Sequence, residues 1–172
     1  LLIKPAGPGC NLACKYCFYS GTQLPGARVH RMSDAVLRHT MRRFLDEGGD
    51  TLAITWQGGE PTLMGLPFFQ RAVELQQQYG RGQTISNALQ TNGVLLDRAW
   101  IELLSRYRFL VGLSIDGPAH VHDRYRVDHG GKGSHAIVEA RARASSPSRR
   151  NVVILPPHTE SSAGPFVSSS SV

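Results

Sequence analysis

The chain has 172 residues, 41% of them hydrophobic, which is enough for one ordinary domain with its own core. Lys and Arg (19) outnumber Asp and Glu (13), but the basic residues are scattered over predicted polar helix faces without an aromatic stacking platform, so we do not expect nucleic-acid binding. No apolar run approaches the ~20 residues that span a bilayer, and the N-terminal residues lack a signal-peptide pattern, so we expect no membrane association.

Strands and helices are predicted to alternate along most of the chain. The first helix follows an N-cap at Ser33 and ends before Gly48, the second has Pro67 in its first turn and ends before Gly80, and the third follows an N-cap at Asp97. The strands are predicted at residues 1–4, 51–56, 84–90 and 109–115. Such repeated βα units indicate an α/β fold with a parallel sheet, either open or closed as a barrel, and with function at the carboxyl ends of the strands.

The three cysteines of the chain lie together in the loop after the first predicted strand, at Cys10, Cys14 and Cys17. Thiolates in a short loop suit iron or zinc, and three protein ligands leave one coordination position open for chemistry. A disulfide would leave one thiol over, and structural zinc sites usually have a second ligand pair, so we favour an iron–sulfur cluster with zinc as the alternative. Reduced thiols indicate the cytoplasm.

Polar and glycine-rich segments follow the other predicted strands. They are residues 57–61 after the second strand, 90–93 at the end of the third and 114–117 at the end of the fourth. Because the carboxyl ends of parallel strands meet at one edge of the sheet, we expect these segments to share a site with the cysteines. Asn92-Gly93 and Asp116-Gly117 are equally compatible with plain turns.

The run C-N-L-A-C-K-Y-C-F-Y at residues 10–19 resembles the cluster loop of radical S-adenosylmethionine (SAM) enzymes, whose motif is C-x3-C-x-aromatic-C. Tyr16 occupies the aromatic position. The resemblance implies a partial parallel (β/α) barrel, here truncated after about four βα units, and a [4Fe-4S] cluster held by Cys10, Cys14 and Cys17. It also implies that SAM binds the remaining iron, and that one electron cleaves it to a 5'-deoxyadenosyl radical, which abstracts hydrogen from the substrate.

The strand-end segments resemble cofactor-binding motifs of the same superfamily. The G-G-E-P segment is similar to a motif whose backbone takes up the methionyl ammonium of SAM. A serine that bonds the ribose and an arginine that meets the carboxylate have counterparts in Ser114 and, less specifically because of Arg124, in Arg126. The resemblance thus implies cofactor binding by Tyr16, Gln57, Gly58, Gly59, Glu60, Ser114 and Arg126, and substrate binding by Gln90, Thr91 and Asn92.

Two features of residues 120–135 are expected to be unrelated to chemistry. The spacing of the four histidines there does not match a compact metal-ligand set, so no second metal site is predicted. Asp123 is expected to form a solvated ion pair with Arg124 or Arg126, which contributes little to stability.

Within the superfamily, the motifs W-Q-G-G-E-P-T-L, L-Q-T-N-G and L-S-I-D-G-P are similar to those of anaerobic sulfatase-maturating enzymes, over about residues 3–135. The similarity implies oxidation of a Cys or Ser of a sulfatase polypeptide to Cα-formylglycine, with electrons from a donor such as ferredoxin or flavodoxin. The alternatives are another radical SAM peptide maturase, such as a thioether-forming one, and a non-catalytic metal-binding module.

The domain prediction is an incomplete radical SAM core at residues 1–144 and a disordered or aberrant tail at residues 145–172, where serine and proline accumulate. Residues 152–155 are a candidate fifth strand within that tail. Full members of the family resembled here carry a second, cysteine-rich domain that includes a carboxylate base, whereas this chain has no cysteine after Cys17, so no catalytic base is assigned.

Overall fold

The computed structural model describes residues 1–19 and 31–144, together with the backbone of residues 152–155. The remainder of the predicted tail lies outside the described residues. Five parallel strands form one sheet in which they lie side by side in chain order. They are β1 (Leu2–Ile3), β2 (Thr51–Trp56), β3 (Thr84–Thr91), β4 (Leu110–Ser114) and β5 (Val152–Leu155). Sequential parallel order is the order of a barrel wall, which confirms the α/β, partial-barrel prediction.

The helices between the strands begin where their caps predict. Ser33 Oγ accepts a hydrogen bond from the backbone N–H of Val36 (3.3 Å), and Asp97 Oδ1 accepts one from Trp100 (3.0 Å). The helices are α1 (Asp34–Glu47), α2 (Leu66–Tyr79), α3 (Arg98–Arg106), α4 (Ala119–Tyr125) and α5 (His135–Ala144), and a 3-10 helix spans Pro61–Met64. The sequence analysis did not predict α4 and α5, because α4 is short and Val138 is the only fully buried apolar residue of α5.

The strand predictions differ from the structure in small ways. β3 extends one residue beyond its predicted end, to Thr91, and β4 is one residue shorter at each end than predicted. The candidate fifth strand pairs in parallel with β4, with Val111 opposite Val152 and Ser114 opposite Leu155. The apolar, partly β-branched run of β5 thus covers an edge of β4 that would otherwise have unpaired backbone groups.

The two faces of the sheet have different environments. Residues such as Ile54, Leu89 and Leu113 are buried on one face, where they join a core formed with α1, α2 and α3. Phe69 is central to that core, since its ring centroid lies 5.4 Å from that of Trp56 and 5.2 Å from that of Trp100. Alternate residues on the opposite face, among them Thr55, Ala88 and Leu110, are partly or fully exposed. No helix among the described residues is long and apolar enough to cross a bilayer.

Candidate functional site

The cysteine loop (residues 9–17) is held in place by the end of α4 and the segment that follows it. The backbone N–H of Ala13 donates to the carbonyl of Val127 (2.7 Å), and that of Lys15 donates to the carbonyl of Tyr125 (2.9 Å). Within the loop, the N–H of Cys17 donates to the carbonyl of Cys14 (3.0 Å). None of the three cysteines is in a disulfide, and all three are partly exposed. The loop is therefore anchored through its backbone, and its thiols can be reached by a metal.

The glycine pair after β2 packs directly against this loop. Gly58 and Gly59 both have positive φ, +89° and +53°. A Cβ on Gly59 would stand 2.2 Å from the carbonyl oxygen of Gly9 and 2.8 Å from that of Gly7. The N–H of Glu60 then donates to the carbonyl of Gly9 (2.8 Å). At Gly59 two backbones thus approach so closely that glycine is required, whereas a Cβ on Gly58 would meet the Lys4 side chain.

Glu60 braces the ends of β2 and β3 against each other. Its side chain is buried, and Oε1 accepts hydrogen bonds from Thr62 N–H (3.0 Å), Thr62 Oγ1 (2.6 Å) and Thr91 Oγ1 (2.8 Å). Oε2 accepts the backbone N–H of Asn92 (2.7 Å). Burial raises the pKa of Glu60, and these hydrogen bonds oppose the rise. Because the carboxylate is fully engaged within the protein, a cofactor contact from this segment would come from its backbone.

Asn92, at the end of β3, reaches the cysteine loop. Its Nδ2 lies 2.8 Å from Asn11 Oδ1 and 3.7 Å from Cys10 Sγ, and its Oδ1 accepts the N–H of Val94 (3.0 Å). Asn92 and Thr91 are only 7% and 2% exposed. The structure therefore places both in bracing contacts, and a substrate contact by either stays a prediction.

Gln90 and Ser114 link the ends of β3 and β4 on the open face of the sheet. Gln90 Nε2 donates to Ser114 Oγ at 2.8 Å, and both side chains are partly exposed. Gln57, at the end of β2, is also partly exposed. These polar groups are accessible to a ligand at the same edge as the cysteine loop. Their cofactor and substrate roles stay predictions.

Asp116 connects the cysteine loop to the region after β4. Its Oδ2 accepts hydrogen bonds from the Tyr16 hydroxyl (2.5 Å) and from Arg126 Nε (2.8 Å), and its Oδ1 accepts Arg126 Nη2 (3.0 Å). The Arg126 guanidinium also lies 5.3 Å from the Tyr16 ring centroid. The expected ion pair of Asp123 with Arg124 or Arg126 is wrong: Arg126 pairs with Asp116, and Asp123 Oδ1 accepts the backbone N–H of His135 (2.8 Å).

The sequence analysis missed Asp116 as a site residue, since Asp-Gly-Pro is also ordinary turn chemistry. Burial would raise the pKa of its carboxyl, but hydrogen bonds from Arg126 and Tyr16 hold that pKa below its usual range. Burial and the hydrogen bond to Asp116 raise the pKa of Tyr16, so the phenol stays protonated. Asp116 is therefore an ionised acceptor that orients both Tyr16 and Arg126.

His122 supports the position of Asp116 and Arg126 through hydrogen bonds, and the sequence analysis also missed it. The ring is fully buried, and Nδ1 accepts the backbone N–H of Asp116 (3.2 Å), so the proton resides on Nε2. Nε2 then donates to Ser134 Oγ (2.9 Å), whose hydroxyl donates to the carbonyl of Arg126 (2.9 Å). Burial and the nearby Arg126 charge lower the pKa of His122, which keeps the imidazole neutral. Because the ring is neutral and both of its nitrogens are hydrogen-bonded within the protein, His122 has a structural role in this network.

The chemistry of the thiols fits a metal cluster. Burial raises the pKa of Cys10, and raises that of Cys14 to about 11, so both carry protons that iron would displace on binding. The backbone N–H of Leu12 donates to Cys10 Sγ (3.4 Å), a contact that suits a thiolate ligand. Among the described residues, no three His, Cys, Asp or Glu side chains already converge as a metal site. The thiols thus fit as ligands that a cluster would draw together.

Comparison with known protein families identifies the chain. The model of the radical SAM superfamily matches residues 5–166. The chain belongs to the radical SAM superfamily. Enzymes of this superfamily use a [4Fe-4S] cluster and SAM, the two cofactors that the cysteine spacing and the strand-end motifs predict.

This radical SAM chain is similar to curated sulfatase-maturating enzymes. It is 43% identical over 138 residues to a serine-type anaerobic sulfatase-maturating enzyme of Klebsiella aerogenes, covering 78% of this chain and 33% of the relative. It is 45% identical over 145 residues to a cysteine-type enzyme of Clostridium perfringens, covering 83% of this chain and 39% of the relative. The chain therefore spans between a third and two-fifths of the length of these relatives.

Solved structures agree with the fold of this radical SAM chain. A structure of anSMEcpe with bound AdoMet superposes with a TM-score of 0.83 at 42% identity, over 89% of this chain and 42% of the other. The same protein with AdoMet and the Cp18Cys peptide also gives 0.83. BtrN in complex with AdoMet and 2-DOIA superposes with a TM-score of 0.56 at 19% identity, which supports the fold alone.

Proposed function

We propose that this chain is the cluster- and SAM-binding part of an anaerobic sulfatase-maturating enzyme. In this proposal, the enzyme oxidises a Cys or Ser of a sulfatase polypeptide to Cα-formylglycine. Identity of 43–45% to serine- and cysteine-type enzymes supports it, as does the superposition on a structure that binds AdoMet and a peptide. The same similarity does not favour serine over cysteine as the substrate residue.

One observation carries the proposal: the cysteine loop contacts the ends of three neighbouring strands. Glu60, which follows β2, donates its backbone N–H to the Gly9 carbonyl of the loop. Asn92, which follows β3, donates its side-chain amide to Asn11 of the loop. The Tyr16 hydroxyl bonds Asp116 after β4. A loop needed only to hold a structural metal would not require polar strand ends converging on it, whereas a cofactor site at the rim of a barrel does.

The residues would divide the work as follows. Cys10, Cys14 and Cys17 would hold the cluster, and the backbone carbonyls of Gly58 and Gly59 would accept the SAM ammonium. Ser114 would bond the ribose, and Arg126, oriented by Asp116, would meet the carboxylate. When bound, the cluster and SAM supply the electron and the hydrogen-abstracting group for oxidation at the β-carbon of the substrate residue.

A sulfatase polypeptide is the proposed substrate, and a one-electron carrier such as ferredoxin or flavodoxin is the proposed donor. The cytoplasm is the proposed location, because a cluster needs reduced thiols and such carriers are present there. The base that takes the substrate proton is not assigned to any residue of this chain.

The test is anaerobic reconstitution with iron and sulfide, followed by dithionite, SAM and a peptide that carries a sulfatase Cys or Ser motif. We expect about four irons per chain, as a [4Fe-4S] cluster requires, and methionine and 5'-deoxyadenosine as products. In the peptide, mass spectrometry should detect an aldehyde in place of the Cys thiol or Ser hydroxyl group. A Cys14→Ala variant is the control and should take up less iron and cleave no SAM.

The remaining outcomes identify the alternatives. Cleavage of SAM without an aldehyde, but with a new thioether in a suitable peptide, would indicate a different radical SAM peptide maturase. A colourless protein that binds tetrahedral zinc and does not cleave SAM would indicate a non-catalytic metal-binding module. Either result would overturn the proposed function.

A further inference from the structure

We propose that Asn92 sets the reduction potential of the cluster through its amide hydrogen bond to Cys10. This inference rests on the proposed function, since it concerns the same cluster. It gives Asn92 a positioning and tuning role that the sequence pattern did not indicate, because the end of β3 was expected to face the substrate. The predicted consequence is that a biological electron donor reduces the cluster more readily when the Asn92 amide is present.

The first support is that the Asn92 side chain cannot turn away from the cysteine loop. Its backbone N–H is held by Glu60 Oε2 (2.7 Å), and its Oδ1 accepts the N–H of Val94 (3.0 Å). These two bonds fix the position and the amide orientation at once. The remaining group, the Nδ2 amide, therefore points at Asn11 Oδ1 (2.8 Å) and Cys10 Sγ (3.7 Å).

The second support is the shielding of this contact. Asn92 is 7% exposed, and Cys10 is itself partly buried. A hydrogen bond in a water-poor environment has a larger electrostatic effect than one in solvent. The Asn92 amide is therefore close enough to the Cys10 sulfur, and shielded enough from water, to interact strongly with a change in the charge of that sulfur.

The physical effect follows from the charge that reduction adds. One electron from an external one-electron donor enters the cluster, and no covalent bond forms or breaks at Asn92. The added negative charge is shared with the ligand sulfurs, so an N–H donor stabilises the reduced state more than the oxidised state. Hydrogen bonds to the sulfurs are among the factors that set the potentials of iron–sulfur clusters. Asn92 should therefore raise the midpoint potential.

The decisive variant is Asn92→Asp. Aspartate keeps the size of the side chain, the backbone N–H to Glu60 and an oxygen for Val94, but it replaces the Nδ2 donor by an acceptor. The midpoint potential of the reconstituted full chain is measured by a redox titration followed by EPR. We expect a more negative potential, equivalent to about a two- to tenfold smaller equilibrium constant for reduction, as for one hydrogen bond. Tenfold corresponds to about 59 mV for one electron.

The matched control is Asn11→Asp, which adds the same charge beside Cys10. Asn11 Oδ1 accepts from Asn92 Nδ2, so an aspartate there keeps the acceptor and leaves the Asn92 amide in place. If the two variants lower the potential equally, charge alone accounts for the shift and the proposal is overturned. A larger shift for Asn92→Asp supports it.

A second variant, Asn92→Ala, removes the amide without adding charge. It should also lower the potential, with circular dichroism confirming that the fold is retained. An unchanged potential, or loss of iron uptake in both Asn92 variants, would show that Asn92 only builds the loop and would overturn the inference. The redox titration needs no peptide substrate. If the chain loads a normal cluster but forms no aldehyde, the proposed function fails, and the titration still tests the role of Asn92. A wild-type chain without a cluster would overturn both.

Discussion

At the scale of single residues, the site depends on backbones that approach one another more closely than side chains allow. Gly59 is the clearest case, because its φ of +53° disfavours a Cβ and the Gly9 carbonyl oxygen would lie only 2.2 Å from one. The contact brings the end of β2 onto the cysteine loop. Glycine at this position is therefore a requirement of the site's geometry, in addition to being part of a recognisable motif.

The change Gly59→Ala should disrupt the cysteine loop. Its Cβ would meet the Gly9 carbonyl at 2.2 Å, so the loop must shift, and we expect a loss of about 1–3 kcal/mol in the free energy of unfolding with reduced iron uptake. Gly82→Ala is the matched control. Gly82 also has positive φ (+87°), but no atom lies within 4 Å of an added Cβ. Its replacement by alanine therefore costs only the unfavourable backbone conformation, without a clash.

Urea denaturation and iron analysis after reconstitution measure the two effects. We expect Gly82→Ala to lose about 1 kcal/mol from the unfavourable φ and to load iron normally. Equal iron uptake in the two variants would contradict the view that the Gly59 contact shapes the loop.

Residues of the site differ in how far the sequence could predict them. The cysteines and the glycine pair were predictable because each belongs to a local motif. Asp116 was not, since the Tyr16 hydroxyl that it orients lies 100 residues away in the chain. The brace between Glu60 and Thr91 spans 31 residues and likewise depends on the strand register. Long-range hydrogen bonds leave no periodic signal, so only the three-dimensional structure shows them.

At the scale of elements, the Asp116–Arg126 pair joins three segments of the site. Asp116 follows β4, Arg126 ends α4, and the Tyr16 hydroxyl brings in the cysteine loop. The side chains of Asp116 and Arg126 are 3% and 15% exposed. Removing one partner would leave the other charge buried without compensation, which is costly in protein interiors.

We therefore expect Asp116→Asn to lower the free energy of unfolding by about 3 kcal/mol near neutral pH. The pKa of Asp116 is held low in the folded protein, so its stabilising effect is present above the unfolded value of about 3.9 and is lost as the pH falls through the folded value. The difference between wild type and variant should be largest above about pH 4 and should shrink below it.

Urea denaturation at several pH values measures this difference. Glu102→Gln is the control, since it breaks an exposed pair with Arg98 on α3 and should change stability little at any pH. A difference for Asp116→Asn that stays constant from neutral to acidic pH would show that its carboxylate charge is not what stabilises the fold.

The elements themselves were predicted well where their signals were local. Ser33 and Asp97 cap the helices as expected, and β2 spans its predicted residues. α4 and α5 were missed because α4 is short and its buried residue is the polar His122, while α5 buries only Val138, so neither helix has an apolar stripe. The burial of His122 follows from contacts that the periodicity of the sequence does not record.

At the scale of the whole molecule, the two faces of the sheet differ: one packs against the helices and the other is open. Leu89 of β3 is 1% exposed and belongs to the core beneath the helices. Its neighbour Ala88 lies on the opposite face, between Thr55 and Leu110 of the adjacent strands, and is partly exposed. This alternation is how a barrel wall separates the helix layer from the interior. The predicted βα pattern implied the first face, but it did not show that the second face is open.

The last prediction tests this division with two neighbouring substitutions. Leu89→Ala should lower the free energy of unfolding by about 2–5 kcal/mol, because it leaves a cavity in the packed core. Ala88→Leu should change it by less than about 0.5 kcal/mol, because the added side chain would extend over the exposed face of the sheet. Urea denaturation measures both, and a large loss for Ala88→Leu would mean that the second face is packed. An open face is what the proposed function requires, since SAM and a peptide substrate would have to reach the strand ends without displacing core side chains.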